Sequence, residues 1–327
     1  MKVIIPLAGK GTRLLPLTKA VPKPLIRVAG RPVMDYVMDQ VDQLDVEELI
    51  FITGHLKERV EAYVRSHYRH PARFIEQKVQ DGTASAIDLA RPYVDGPVLI
   101  IFVDTVFDAD LTLIDRTDAD GIIWAKEVED YQRFGVVVTD DRGFMLRIVE
   151  KPKEPISKLA NIGLYYLRDW RALFEGIAWT KGRPPMKGEF FLTDAFQHMV
   201  DHGRRLLAAP VAGWYDCGKV DTVLSTNLHL LQTSRARRPR PRARVRILDP
   251  VYVADGVELE DCTIGPNVSI DTGAVIKTSV LRDAIVGERA KVIGSTVEGS
   301  LVGDDAEVIG QRLNAMIVAG DEVVPAP

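Results

Sequence analysis

Residues Lys2 to Tyr36 read KVIIPLAGKGTRLLPLTKAVPKPLIRVAGRPVMDY. Val3 to Leu7 is a short apolar run, the pattern of a buried strand that starts at the N-terminus. It leads directly into Ala8-Gly9-Lys10-Gly11-Thr12-Arg13. Two glycines one residue apart let a backbone approach a ligand with no Cβ in the way. Successive N–H groups in such a loop form an anion-binding concavity. Arg13 adds a planar cationic fork and Lys23 a flexible point charge. Pro22 and Pro24 fix φ on either side of Lys23, which is expected to keep that segment out of a helix. A tight surface turn would account for Gly-x-Gly alone, but a stiffly held lysine soon after it points to positioned charge. Neither of two common phosphate loops is present. There is no G-x-x-x-x-G-K-[ST], and the third glycine of G-x-G-x-x-G is replaced by Leu14.

Outward from this stretch, the chain alternates apolar runs with helical spacing. Val3–Leu7, Leu49–Thr53, Arg73–Glu76, Val98–Val103 and Gly121–Trp124 read as strands; Pro32–Leu44 and Leu56–His67 read as helices. This order implies an α/β fold, a Rossmann-like mixed, mostly parallel sheet with helices on both faces. Ligands bind such sheets outside the carboxyl ends of the strands, where the glycine loop sits. Asp104 follows the Val98–Val103 run; it is either a turn residue or one of the one or two carboxylates that Mg²⁺ takes beside substrate phosphates. Phe134–Val138, the turn Asp141-Arg142-Gly143 and Ile148–Pro152 read as strand, turn and strand. Thr193 or Asp194 is a candidate N-cap for a helix over Ala195–His202.

Ser234 to Arg246, SRARRPRPRARVR, carries seven arginines and two prolines and reads as a stiff, solvated linker. Beyond it, Ile264, Ile270 and Ile276 are six apart, as are Val286 and Val292, and Val302 and Val308. Gly follows Ile264, Val286 and Val302, the mark of a hexapeptide-repeat parallel β-helix, with breaks at Arg282, Glu298 and Asn314. A short β-helix has an apolar end to cover, which favours packing on the α/β domain or a homo-oligomer. The expected domains are 1–233, the α/β domain; 234–246, linker; and 247–327, β-helix.

Composition is that of an ordinary soluble chain: 327 residues, 46% hydrophobic, 27% charged, formal net charge -4. No apolar run approaches a membrane span, and the N-terminus lacks the pattern of a signal peptide. Cys217 and Cys262 suggest neither a disulfide framework nor a zinc site. A cytoplasmic protein with no membrane or nucleic-acid partner is expected.

The pattern G-x-G-T-R-L-x-P-x-T-x-x-x-P-K-P-L resembles the signature of sugar-1-phosphate nucleotidyltransferases. Gly9, Gly11, Thr12, Arg13, Leu14, Pro16, Thr18, Pro22, Lys23, Pro24 and Leu25 carry the match. Gln77 and Gly82 fall on a Q-x-x-x-x-G segment, Gly135 on Y-G-V, Glu150-Lys151-Pro152 on E-K-P and Asn161 on A-x-x-G-[LI]-Y. Glu189 to Asp194 fall on G-E-[FLY]-x-[LI]-T-D, and Asp216 on W-x-D-x-G. Val103 stands where relatives usually have Gly.

The resemblance implies that Leu7, Ala8, Gly9, Gly11, Thr12, Arg13, Gln77 and Gly82 bind the nucleotide. Gly135, Glu150, Lys151 and Asn161 would bind the sugar phosphate, and Asp104 and Asp216 would hold Mg²⁺. Arg13, Lys23 and Lys151 would act on the reacting phosphates. The substrates implied are a nucleoside triphosphate and a sugar 1-phosphate. The amide of Gln77 can donate and accept at the imide edge of uracil or thymine, so dTTP or UTP with glucose 1-phosphate is expected. GTP with mannose 1-phosphate and a non-catalytic regulatory subunit are the alternatives. Long-form members of this family end in a left-handed β-helix. Acyl transfer in such coils usually uses a His, and this chain has none after His229.

Overall fold

A computed structural model describes the chain from Met1 to Pro327. It forms two compact units, Met1–Gly9 with Val37–Trp214 and Lys10–Tyr36 with Tyr215–Pro327.

The first unit is built on a nine-stranded sheet. Its strands are β1 (Lys2–Pro6), β2 (Glu48–Thr53), β3 (Ala72–Glu76), β4 (Val98–Ile101), β5 (Gly121–Glu127), β6 (Gly135–Thr139), β7 (Met145–Glu150), β8 (Leu159–Leu167) and β9 (Leu206–Pro210). The order is β7-β6-β8-β4-β1-β2-β3, and β5 pairs both β8 and β9. β1, β2, β3 and β4 run parallel, and β8 is antiparallel to β4, β5 and β6. Only β7 and β8 therefore oppose the common direction, since β9 follows β5.

Alternate residues of a strand face opposite sides. Ile4, Ile50, Ile100 and Ile123 join one core with Ile87, Leu173, Ile177 and Phe196 of the helices Thr83–Asp88, Trp170–Lys181 and Leu192–Asp201. Their neighbours Val3, Ile5, Leu49, Phe51, Leu99 and Trp124 are equally buried, so both faces of the sheet are covered. Each such side chain contributes roughly 1.5–3 kcal/mol on leaving water. The central strands are thus specified by runs of Val, Ile and Leu rather than by alternation.

The second unit contains a parallel β-helix of three sheets. The register steps from Arg246 to Thr263, Val280, Thr296 and Arg312, that is by 17, 17, 16 and 16 residues per coil. The inward residues are Ile264, Ile270, Ile276, Leu281, Val286, Val292, Val297, Val302, Val308 and Leu313. A uniform six-residue repeat therefore does not hold; two sides of each later coil are five residues long. That corrects the reading of Arg282, Glu298 and Asn314 as breaks. Each is an exposed residue immediately after the buried Leu281, Val297 or Leu313.

The Arg-rich run is laid against the first coil. Arg237 exchanges backbone hydrogen bonds with Val251 and Val253, and its side chain pairs with Asp255. Arg238 meets Asp249 at 2.7 Å and Arg244 meets Asp261 at 2.6 Å. At the other end, Glu322–Pro325 pairs antiparallel with Met316–Ala319 and covers that sheet edge from within the chain. Pro22 and Pro24 do not keep Lys23 out of helical geometry, because Lys23–Leu25 forms one 3₁₀ turn. Three residues fit such a turn, and Pro is tolerated in its opening positions.

The five-residue sides give a direct test. Leu281→Ala should cost about 2–5 kcal/mol by leaving a cavity. Arg282→Ala should stay within about 0.5 kcal/mol. Urea unfolding of both variants measures this, and equal losses would place the core face wrongly.

Candidate active site

The two units carry different groups of the expected site residues. In the first unit, β1 hands the chain to Leu7 and Ala8. The Leu7 N–H donates to the Ile52 carbonyl at 2.7 Å, extending the β1–β2 pairing by one residue. The Ala8 carbonyl accepts from Gln80 Nε2 at 2.6 Å. A Cβ on Gly54 would lie 2.8 Å from that same carbonyl, so the loop crosses the end of β2 in close contact. Gly9 is exposed, and nothing lies within 4 Å of where its Cβ would be.

Gln77 is buried beyond the end of β3. Its backbone N–H donates to Thr53 at 2.8 Å, and its side-chain Nε2 reaches the Gly82 carbonyl at 3.3 Å. Gly82 has φ 120°, and a Cβ there would lie 2.4 Å from the Phe190 carbonyl oxygen. The Phe190 N–H donates to Asp81, and its carbonyl accepts from Ala84. The segment expected to read the base is therefore stapled to Phe190, and no residue with a side chain fits at Gly82.

Asp104 follows β4 and is half-buried. Val103, the departure from the family pattern, is buried and is not at positive φ, so valine is accommodated there without backbone strain.

Gly135, Glu150, Lys151 and Asn161 come together. Asn161 Nδ2 donates to the Gly135 carbonyl at 2.7 Å, and Asn161 Oδ1 accepts from the Tyr165 hydroxyl. A Cβ on Gly135 would lie 2.3 Å from Asn161 Nδ2 and 2.9 Å from Glu150 Oε2. Thr193 Oγ1 donates to Glu150 Oε2 at 3.3 Å, and Lys151 Nζ lies 3.6 Å from Glu150 Oε1. Lys151 also sits over the Phe191 ring, 5.2 Å from its centroid, and takes φ 46°. Only glycine fits at 135, because Asn161, Glu150 and Thr193 crowd the place a Cβ would take. Asn161 is largely engaged within the protein and braces this cluster.

Burial raises the Glu150 carboxyl above its ordinary value, opposed by the Lys151 charge and the Thr193 hydrogen bond. Burial likewise raises Asp194, opposed by Arg183. Asp194 does not cap its helix, which begins earlier, at Leu192, with Phe191 as N-cap. The Leu192 N–H is instead taken by Thr83 Oγ1 at 2.9 Å.

In the second unit, Gly11 has φ 62° and its carbonyl accepts from Thr18 Oγ1 at 3.0 Å. A Cβ on Gly11 would meet Thr18 Cγ2 at 2.9 Å and Lys23 Cβ at 3.2 Å, so the loop closes onto Lys23. Thr12 and Arg13 lie in the 3₁₀ turn that follows Gly11. Asp216 Oδ1 accepts the Gly218 N–H at 2.8 Å, and its carbonyl accepts from Thr226 Oγ1 at 3.0 Å. The Cβ that Gly218 lacks would lie 3.3 Å from Arg13 Nη2 and 2.8 Å from Asp216 Oδ1. Arg13 and Asp216 are thus neighbours around Gly218. Cys217 is buried and behaves as a small hydrophobe.

Several participants escaped the sequence reading. Thr193, Thr18 and Tyr165 lay on matched motifs with no such contact foreseen: Thr193 engages Glu150, Thr18 the Gly11 carbonyl and Tyr165 Asn161. Gln80 and Gly54 act through contacts that no local spacing reveals.

The elevated Glu150 carboxyl makes a pH prediction. A folded-state value above the unfolded one means stability is fully present below the unfolded value and falls as pH rises through the folded one. Glu150→Gln should therefore raise Tm at pH 7.5, with the gain vanishing below the ordinary value of 4.5. A Tm difference independent of pH in thermal melts would refute this.

The model of the nucleotidyl transferase family matches residues 2–233. The bifunctional protein GlmU of Methanococcus aeolicus is 33% identical, over 80% of this chain and 62% of its own length. This chain thus spans less than two thirds of that relative. The glucose-1-phosphate thymidylyltransferase of Streptomyces antibioticus is 28% identical over 91% of this chain and 92% of its own. A crystal structure of UDP-glucose pyrophosphorylase complexed with UDP-glucose shares the fold of part of this chain. Its TM-score is 0.63 at 24% identity, covering 71% of this chain and 98% of that one. The family model spans more than half of its length, and the chain therefore belongs to the nucleotidyl transferase family.

Proposed function

We propose that this chain is a sugar-1-phosphate nucleotidyltransferase, joining dTTP or UTP to glucose 1-phosphate with release of pyrophosphate. The observation that carries the reading is the pocket of Gly135, Glu150, Lys151 and Asn161. It sets the hydroxyl-binding carboxyl of Glu150 beside one half-exposed ammonium, with the Asn161–Gly135 hydrogen bond bracing both strands. That is the chemistry of a sugar carrying one phosphate. The length-wide similarity to the thymidylyltransferase supports it, and the amide of Gln77 suits a pyrimidine imide.

In the reaction, a phosphate oxygen of the sugar phosphate attacks the α-phosphorus in line. The bond to the β-phosphate breaks and its electron pair leaves with pyrophosphate. No protein nucleophile or proton transfer is needed. Repulsion between two polyanions is the barrier, so positioned cations do most of the work. Arg13 and Lys23 bind and stabilise the triphosphate, and Lys151 holds the sugar phosphate as nucleophile. Gly9 and Gly11 let the loop backbone close on the phosphates.

No cluster of three or more His, Cys, Asp or Glu side chains forms a protein-only metal site. Asp104 and Asp216 are hard oxygen donors of the kind Mg²⁺ takes singly or in pairs, with substrate phosphates and water completing its shell. Bound there, Mg²⁺ would supply neutralisation of phosphate charge.

Asp104→Asn and Asp216→Asn should each lower Mg²⁺-dependent turnover at least ~100-fold with the fold intact, measured by pyrophosphate release. Full activity in both would remove the metal assignment. Lys151→Ala should raise the KM for the sugar phosphate more than that for the triphosphate, and the reverse would reassign it. A panel of triphosphates against sugar phosphates decides the substrates. Preference for GTP with mannose 1-phosphate would overturn the pyrimidine reading, and no turnover with any pair would favour a regulatory subunit.

A further inference from the structure

The segment bearing Arg13 and Lys23 belongs to the same compact unit as the β-helix. Its hairpin pairs Arg27 with Pro32 and Val28 with Arg31, leaving Ala29 and Gly30 as a two-residue turn at φ 47° and 80°. The Ala29 N–H points into a buried environment and needs an acceptor. Asn227, on the helix Val220–Leu230 and with no exposed surface, supplies Oδ1 at 2.9 Å. The same oxygen accepts from Ser269 Oγ of the coils at 2.6 Å, and Asn227 Nδ2 donates to the Asn267 carbonyl at 3.3 Å. One buried amide therefore ties the hairpin turn, a helix and two coil residues together.

Other contacts run along successive coils. A Cβ on Gly30 would lie 2.1 Å from the Tyr252 ring. Arg27 Nη1 meets Glu288 Oε1 at 2.7 Å, and its Nη2 returns to the Gly30 carbonyl at 3.2 Å. Arg27 Nε lies 3.4 Å from the buried Asp271. A Cβ on Gly303 would lie 2.7 Å from Leu17 Cδ2, and Lys19 pairs with Glu322 at 2.6 Å. Tyr252, Ser269, Glu288 and Gly303 follow one another at about one coil each, and Glu322 lies on the antiparallel strand that closes the last coil. Gly303, whose recurrence first read as a repeat mark, is where Leu17 packs. The cavity left in this seam is about 50 Å³, room for a water or two. The segment is fastened on both sides of Lys23, at Leu17 and Lys19 before it and at Arg27 to Gly30 after it.

We infer that the β-helix is a working part of phosphate handling. Asn227 is its positioning residue, fastening the segment that carries Arg13 and Lys23 to the coils, with the Arg27–Glu288 pair as a second anchor. Neither residue touches a substrate. What the segment does once fastened rests on the nucleotidyl-transfer reading above.

The test uses the full chain. Asn227→Ala should lower kcat by about 10–100-fold through misplacement of the cations, leaving the KM for sugar phosphate unchanged. Arg27→Lys should retain more activity than Arg27→Met. Amide hydrogen exchange should quicken across residues 10–31 and stay unchanged across coil residues 275–319. A folded Asn227→Ala chain with wild-type kcat, or with unchanged exchange in residues 10–31, overturns the inference. If that variant does not fold, Arg27→Met, which removes the second anchor, is read by the same exchange across residues 10–31. Exchange needs no substrate, so it decides the docking even if the wild-type chain turns over nothing, in which case the functional reading fails by itself.

Discussion

The pairing of β1 on both edges is the constraint from which the rest of the first unit follows. Lys2–Pro6 has β4 on one side and β2 on the other, with Val3, Ile4 and Ile5 wholly buried. A strand so enclosed has one way out, at its carboxyl end. There the Leu7 N–H is still spent on Ile52, and Ala8 already crosses Gly54. The chain therefore enters its glycine loop with direction and depth fixed by the sheet.

The same economy governs the polar cluster around Glu150. Strands β6, β7 and β8 pair antiparallel, and each contributes one residue to this cluster, Gly135, Glu150 and Asn161. Hydrogen bonds among them, closed by Tyr165 and Thr193, hold the pocket before any ligand arrives. Polar groups in so buried a place must be satisfied or the fold loses stability. The price of keeping Glu150 there is visible in its elevated carboxyl.

Much of this was legible in the residues themselves. The central strands announced themselves as continuous apolar runs, and two close approaches as glycines where no Cβ fits, at Gly82 and Gly135. The coils were legible only in part. Six-residue spacing marks the longer sides, whereas the five-residue sides shift the inward position by one, to Leu281, Val297 and Leu313, and a fixed period cannot follow that shift. Contacts between distant residues were not legible at all. Nothing near Thr193 says that its hydroxyl meets Glu150, and nothing near Asn227 says that its amide meets Ala29, because each depends on tertiary placement rather than local spacing.

The 16-residue step of the later coils carries one more consequence. Neighbouring strands lie about 4.8 Å apart, so each coil is one such rise along the helix axis. Removing one whole coil between Ser269 and Gly303 would leave the β-helix its own core and ladders. It would also slide every later anchoring site by that rise relative to the N-terminal segment. The stack is therefore a ruler as well as a scaffold: its length between those two residues is matched to the span from Leu17 to Ala29, and cannot drift by a coil without tearing one end of that segment loose.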